Sequence, residues 1–501
     1  MSLDHVIYLD GETLGRTEIE QIANRNAKVE IAEKSLEKVI ASRSRIEKQI
    51  NDGKVIYGVN TGFGKLSDIE IKKSDIEKLQ LNLLRADAVG VGEPLPTEVV
   101  RAIMTLRSNA LIKGFSGIRV DTLNLLINMI NKGVHPVIPC KGSVGASGDL
   151  APLAHMAIVL IGEGKAEYEG KVYPGAEALK MAGLEPVRLQ AKEGLALING
   201  TQVMTGVGAI ALNEAERLGM AADMSACLTI EALQGVISAF DPALIAVRPH
   251  PELENVASRI RSWLEGSKRT TVQGEIRMQD AYSIRCIPQV HGASWQTFKH
   301  VDQVLAIEFN STTDNPIVLE DGRVLSGGHF HGQPIALAMD HLKIAAAEWA
   351  NIAERRIERL VNPQLSGISP FLANDPGLEC GLMVAQYAAA ALVSENKVLA
   401  HPSSVDSIPT SANQEDHVSM GTIGSRQARE MIHNSARVIA IEMICASQAI
   451  YLQKVEDQLA PTTKEYLEKI RQICPPLESD RDISDQIQEL ATFILTDQSF
   501  Q

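Results

Sequence analysis

Aromatic side chains are scarce in this chain. They make up 4% of 501 residues, with three tryptophans, eight tyrosines and nine phenylalanines. With 45% hydrophobic residues and abundant alanine and leucine, that scarcity argues against a β-sandwich and for closely packed helices. Cysteine is also sparse. The six thiols, Cys140, Cys227, Cys286, Cys380, Cys445 and Cys474, include no CxxC pair, which excludes a disulfide framework and a structural zinc site of that type. Positive charge is in deficit: 48 Lys and Arg stand against 62 Asp and Glu, a net charge of −14. The basic footprint of a nucleic-acid binder is missing. No run of 18 apolar residues occurs, so no membrane span is expected. Residues 1–10 carry acid where a secretory leader needs base. The expectation is a cytoplasmic protein with reduced thiols.

Repeats, low-complexity tracts and a clear linker are missing too. Length alone suggests roughly three domains of about 150 residues, though single large architectures also reach this size. The reading adopted is an N-terminal domain over 1–200 with minor β-structure, then a long-helix bundle and C-terminal helical region over 201–501. Val6–Leu9 reads as a strand and residues 16–51 as helical. Val55–Tyr57 reads as a brief strand. Apolar periodicity predicts helices near 75–86, 97–112, 120–132, 149–162, 203–240, 334–361 and 425–453, and a β-hairpin within 165–190. In the 334–361 segment, Ile335, Met339, Leu342, Ala346, Trp349, Ala353, Ile357 and Leu360 form one apolar stripe. Lys343, Glu348, Glu354, Arg355 and Glu358 occupy the other face.

Gly142-Ser-Val-Gly-Ala-Ser-Gly-Asp149 carries unusual chemistry. The Gly148 nitrogen can attack the Ala146 carbonyl and close a five-membered ring with loss of water. Ser147 can then lose its hydroxyl and become an exocyclic methylidene. Gly148 tolerates the dihedrals of closure, Ala146 is small, and Ser147 carries a leaving group. Taken alone, the stretch reads as a glycine-rich turn before a helix capped by Asp149. The loop Gly58-Val-Asn-Thr-Gly-Phe-Gly-Lys65 superficially suggests a phosphate-binding loop, but its spacing is wrong and Leu66 stands where Ser or Thr is needed. His329 and His331 make an HxH pair. Two ligands without a third do not make a metal site, so no metal is expected.

Seven separated motifs change the weighting of that tripeptide. They are Tyr57-Gly-Val-Asn-Thr-Gly-Phe-Gly64, Gly145-Ala-Ser-Gly-Asp-Leu-Ala-Pro152, Glu193-Gly-Leu-Ala-Leu-Ile-Asn-Gly-Thr201, Gln279-Asp-Ala-Tyr-Ser-Ile-Arg285, Thr313-Asp-Asn-Pro316, Ser394-Glu-Asn-Lys397 and Asn413-Gln-Glu-Asp-His417. Together they resemble the aromatic amino-acid ammonia-lyase family, and within it the bacterial histidine-specific branch, from about residue 7 to 475. The resemblance implies a mainly α, fumarase/aspartase-like long-helix fold. It also implies a 4-methylidene-imidazol-5-one (MIO) formed from Ala146, Ser147 and Gly148, with no external cofactor. The implied reaction removes ammonia from an L-α-amino acid, histidine or a close analogue, to give an unsaturated acid. A phenylalanine or tyrosine lyase and a 2,3-aminomutase are alternatives on the same scaffold; a non-catalytic helical scaffold is the alternative of another class. A homotetramer is implied, with active sites shared between subunits and a small-molecule substrate, without nucleic acid or membrane.

By the same resemblance, Tyr57 would take the β-proton and Tyr282 would assist in the site. Arg285 would grip the substrate carboxylate with its two-pronged guanidinium. Asn199, Gln279 and Tyr282 would supply hydrogen bonds. Phe330 would line the pocket and Glu415 would face the substrate's side chain or amine. Two positions depart from the family pattern. Histidine lyases usually carry Ser-His where this chain has Ala86-Asp87, and His329 replaces an asparagine. Asp87 with Glu415 would place two carboxylates at the distal end of the substrate, favouring a cationic or N–H-rich side chain over a phenyl ring. Asp87→His is expected to shift activity toward ordinary histidine.

Overall fold

The structure is a computed structural model that describes residues 5–25 and 27–497; Met1–Asp4 of the segment read as leaderless lie outside the described residues. Among the described residues helices dominate, and every strand is four residues or shorter. Two compact units emerge, each assembled from separated stretches. The first comprises Met1–Ile210, Asp302–Asp340 and Pro402–Arg426; the second comprises Ala211–Val301, His341–His401 and Gln427–Gln501.

The first unit is built around the helix Thr97–Ile112, buried at every position from Val99 to Ile112. A helix apolar enough to be enclosed on all sides still carries polar residues, and each has a task. Arg101 donates to the Ile22 carbonyl at 2.8 Å and to the Ile130 carbonyl at 2.7 Å. It thereby satisfies the ends of the helices Arg16–Ala23 and Val120–Lys132. Asn109 donates to the Phe309 carbonyl at 2.9 Å, which ties a segment two hundred positions away into the same core. Val120–Lys132 buries Leu123, Leu126, Ile127 and Ile130 along one stripe. It stops where Gly133 adopts a left-handed conformation, φ 72.

The strands are local braces. Val6–Leu9 pairs in parallel with Lys28–Ile31. The predicted hairpin is Lys165–Tyr168 with Lys171–Pro174, extended by His135–Pro136 into three strands. Two expectations shift. The helical segment 16–51 is interrupted: Arg16–Ala23 ends at Asn24, the strand Lys28–Ile31 follows, and the helix resumes at Glu33–Asn51. Val29 is fully buried in that strand, so tertiary pairing overrides helix propensity there. Val55–Tyr57 is not a strand: Val55 and Ile56 are irregular and Tyr57 opens a turn. The Asn60 side chain holds it by accepting from the Ile56 N–H at 2.7 Å and donating to the Lys54 carbonyl at 2.8 Å.

The second unit is packed from long helices. Trp295 meets Phe298 and Trp349 edge-on, both at 5.4 Å between centroids. Arg356 forms a buried two-pronged pair with Glu442, at 2.5 and 2.8 Å. His291 Nδ1 lies 2.5 Å from Asp223, which also accepts from the Trp295 indole. In the helix Gln333–Val361 the whole predicted apolar stripe is buried. Two charged residues assigned to the opposite face, Lys343 and Glu354, are buried as well. Lys343 is satisfied by the His401 carbonyl and Gln427, each at 2.9 Å. The helix Gly421–Gln453 is long and apolar enough to cross a membrane by length and composition, but 83% of its apolar window is buried inside the protein.

Candidate active site

Within the first unit, a cavity of about 530 Å³ is lined by Tyr57, Phe63, Asp87, Ser147, Asn199 and Glu415, with Phe330 and Asn315 among its remaining walls. A larger cleft of about 870 Å³ shares Tyr57 and is edged by Arg45, Lys48, Lys54 and Arg323. The reactive groups gather in the smaller cavity.

Ser147 sits at the tip of the glycine-rich turn, and its hydroxyl donates to Glu415 Oε1 at 2.9 Å. The Asn199 side-chain amide donates to the Ser147 carbonyl at 3.0 Å. The turn itself is clamped from behind. Gly148 bridges to Gly200, and the Asp149 N–H donates to the Gly200 carbonyl at 2.7 Å. Gly148 has φ 72, and a Cβ there would fall onto the Gly200 carbonyl, so only glycine fits.

Asp149 does not cap the helix that follows it, Leu150–Leu160. Its carboxylate instead accepts from the Val203 and Met204 N–H groups, at 3.0 and 2.8 Å, in the first turn of Gln202–Ala232. That arrangement caps a helix distant in sequence. Ser143 and Thr422 hydroxyls also donate to Asp149. Burial pushes its carboxyl up from the ordinary range, opposed by these four hydrogen bonds.

Asn199 closes the short helix Glu193–Ile198. Arg107, fully buried, donates to the Asn199 carbonyl at 3.0 Å, to Gln202 at 2.7 Å and to the Ala196 carbonyl. Glu415 stands on a loop in which Ser411, Ala412 and Asn413 all have positive φ, at 50, 52 and 65. Three consecutive non-glycine residues in that region store strain of roughly 1–3 kcal/mol each, a cost met at functional sites. Thr410 donates to Glu415 Oε2 at 2.8 Å and holds the carboxyl on its second oxygen.

Asp87 is the last residue of the helix Ile76–Asp87. A carboxylate at a helix C-terminus is unfavourable. Burial, and next the Glu415 charge, push its pKa from 3.8 to about 6. Tyr57 receives the Gly64 N–H on its hydroxyl at 3.1 Å. Burial raises its phenol pKa, the Gly64 bond lowers it, and Glu415 raises it further; the net direction is up.

The cavity therefore unites Tyr57, Asp87, Ser147, Asn199, Phe330 and Glu415, with Ala146 and Gly148 buried beneath. Gln279, Tyr282 and Arg285 belong to the second unit. There Tyr282 is 70% exposed and the Arg285 guanidinium lies 4.6 Å from its ring centroid. Sequence reasoning missed Phe63, Leu83 and Gln414 as wall residues, and Asn315, whose side chain accepts from the Gly327 N–H at 2.8 Å. Asn315 and Gln414 lay inside quoted motifs without a role. His331, half of the HxH pair, stacks on His417 at 5.6 Å.

A helical scaffold that brings a serine in a glycine turn, a phenol, an amide and two carboxyls into one cavity defines an enzyme acting on a small polar molecule. Residues 14–472 match the sequence profile described as "Aromatic amino acid lyase". Histidine ammonia-lyase from Bacillus subtilis (strain 168) is 54% identical over 490 residues, covering 98% of this chain and 96% of that protein. Histidine ammonia-lyase from Trypanosoma cruzi has the same fold, with TM-score 0.91 and 42% identity over 98% of this chain and 93% of that one. Tyrosine aminomutase from Streptomyces globisporus superposes with TM-score 0.94 at 38% identity, covering 98% and 96%. The chain belongs to the aromatic amino acid lyase family, a family of MIO-dependent carbon–nitrogen lyases with the fumarase/aspartase-like all-α fold.

Proposed function

We propose that this protein eliminates ammonia from L-histidine to give urocanate, using an MIO built from Ala146, Ser147 and Gly148. The observation that carries the reading is Ser147, presented into the cavity between Glu415 and Asn199. The residues fit the group. Asn199 Oδ1 is buried without a hydrogen-bond partner among the described residues, and position 148 admits no side chain. Asn199 would hold the group through its amide, and the Gly200 backbone would hold it from behind. The MIO supplies an electrophile that turns the substrate's amino group into a leaving group.

Tyr57 takes the β-proton. Its phenol needs a cation to offset burial and Glu415, and Arg285 of a neighbouring subunit is our candidate. Arg285 also grips the substrate carboxylate, assisted by Tyr282 and Gln279. This reading requires a homotetramer with shared sites. The cavity walls come wholly from the first unit, while Tyr282 is exposed and Arg285 Nε is buried without a partner among the described residues. The helix Met383–Leu399 supports it further, since only Ala389 and Asn396 of its 17 residues are buried. Asp87 and Glu415 face the imidazole. A ring with two N–H groups can satisfy both carboxylates, and a phenyl ring neither.

Purified protein tests the proposal. Histidine should yield a conjugated acid, read by ultraviolet absorbance, with one free ammonia per product. Ammonia retained on the β-carbon would instead indicate an aminomutase. Strong turnover of phenylalanine with none of histidine would refute the substrate assignment.

A further inference from the structure

The Ser147 hydroxyl has a partner whose position bears on how the prosthetic group arises. Among the described residues, the Ser147 hydroxyl hydrogen-bonds to Glu415 Oε1, at 2.9 Å, and to no other side chain. Glu415 cannot swing freely, because its other oxygen is held by the Thr410 hydroxyl at 2.8 Å. The Thr410 N–H donates to the Glu415 carbonyl at 2.9 Å, and the Glu415 N–H donates back at 3.3 Å, closing a small ring of contacts. The left-handed run Ser411–Asn413 delivers the residue to this spot. Strain of this kind persists only where surrounding structure enforces it. Asp149, by contrast, is fully engaged behind the turn with Val203, Met204, Ser143 and Thr422, and its bonds do not reach the Ser147 hydroxyl.

A hydroxyl is a poor leaving group unless it departs with a proton. We infer that Glu415, in its protonated form and with the same 2.9 Å contact then donated from the carboxyl to the Ser147 oxygen, is the general acid that removes the Ser147 hydroxyl during self-maturation, distinct from its later role facing the substrate. Ring closure first joins the Gly148 nitrogen to the Ala146 carbonyl carbon and expels one water. In the next step the Ser147 Cα–H bond breaks, and its proton passes to cavity water. That electron pair becomes the Cα=Cβ bond while the Cβ–Oγ bond breaks. The departing oxygen takes the Glu415 proton and leaves as the second water, and the proton on solvent restores the acid.

The inference rests on the MIO reading, and intact-mass spectrometry during cell-free synthesis separates the two. Wild-type chains should become lighter by two waters. Glu415→Gln keeps size and hydrogen bonding but cannot act as an acid of useful strength. It should lose the first water at the wild-type rate and the second at least about 100-fold more slowly, the span that a positioned acid contributes. Glu415→Asp should recover part of the second step. A general folding defect would slow both losses together, so the split between them reports the chemistry. Thr410→Val, which frees Oε2 without touching the turn, should slow only the second loss. Glu415→Gln chains that lose both waters at wild-type rates would overturn the inference and leave the MIO reading standing. Wild-type chains that lose no water would overturn both.

Discussion

Asp87 is costly where it sits, and the cost can be measured. Its carboxyl has an ordinary pKa of 3.8 and is pushed to about 6 in the folded protein, first by burial and then by Glu415. The folded state therefore holds this proton more tightly than the unfolded state. Between pH 3.8 and about 6 the unfolded chain ionises first, so stability falls as pH rises through that window and then stays low. Two pKa units correspond to about 3 kcal/mol at most. Asp87 is only half-buried, and solvent screening reduces this to roughly 1–2 kcal/mol. Asp87→Asn removes the charge and keeps the shape. At a typical unfolding entropy of roughly 2 cal/mol/K per residue, a chain this long melts about 1 °C higher per kcal/mol gained. Scanning calorimetry should show Asp87→Asn melting about 1–2 °C above wild type at pH 8, with the two curves converging near pH 4. An equal offset at both pH values, or a less stable variant at pH 8, would refute the linkage argument. The same variant should raise KM for histidine, because a recognition group has been traded for stability.

Tyr57→Phe should lower kcat by about 10²–10⁴-fold while the chain still loses two waters, because only the proton acceptor has gone. Gly148→Ala should retain the full unmodified mass and lose activity, since its Cβ collides with the Gly200 carbonyl; normal maturation would contradict the close approach. Arg107→Met should destabilise the fold by about 2–4 kcal/mol in denaturant titration, because the Ala196 and Asn199 carbonyls lose a buried donor. Asp87→His should favour the neutral imidazole and shift the histidine optimum to higher pH; an unchanged profile would mean that residue 87 does not read the ring.

Much of the helical framework was legible because apolar spacing is local. Thr97–Ile112 and Val120–Lys132 coincide with the ranges predicted from periodicity alone. The failures share a cause. Lys28–Ile31 becomes a strand because it meets Val6–Leu9, a pairing no helical window contains. Lys343 and Glu354 were assigned to a polar face because charge usually marks solvent. Lys343 is buried with partners 58 and 84 positions away. Asp149 reads as a cap for its own helix and in fact caps Gln202–Ala232. Local sequence identifies a capping side chain but not which helix end it reaches.

The sequence by itself determined the helical class, the family, and the identity of the tripeptide able to turn on itself, because these depend on residue order and local period. Only the tertiary structure decided that Ser147 donates to Glu415, that Asn199 leaves one oxygen without a partner among the described residues, and that Asp87 shares their cavity. Those contacts join residues from position 87 to position 415, and their distances are set by how the first unit packs around Thr97–Ile112. Chemistry is carried by residue type, but reactivity depends on neighbours, and neighbours so distant in sequence are chosen by the packed core.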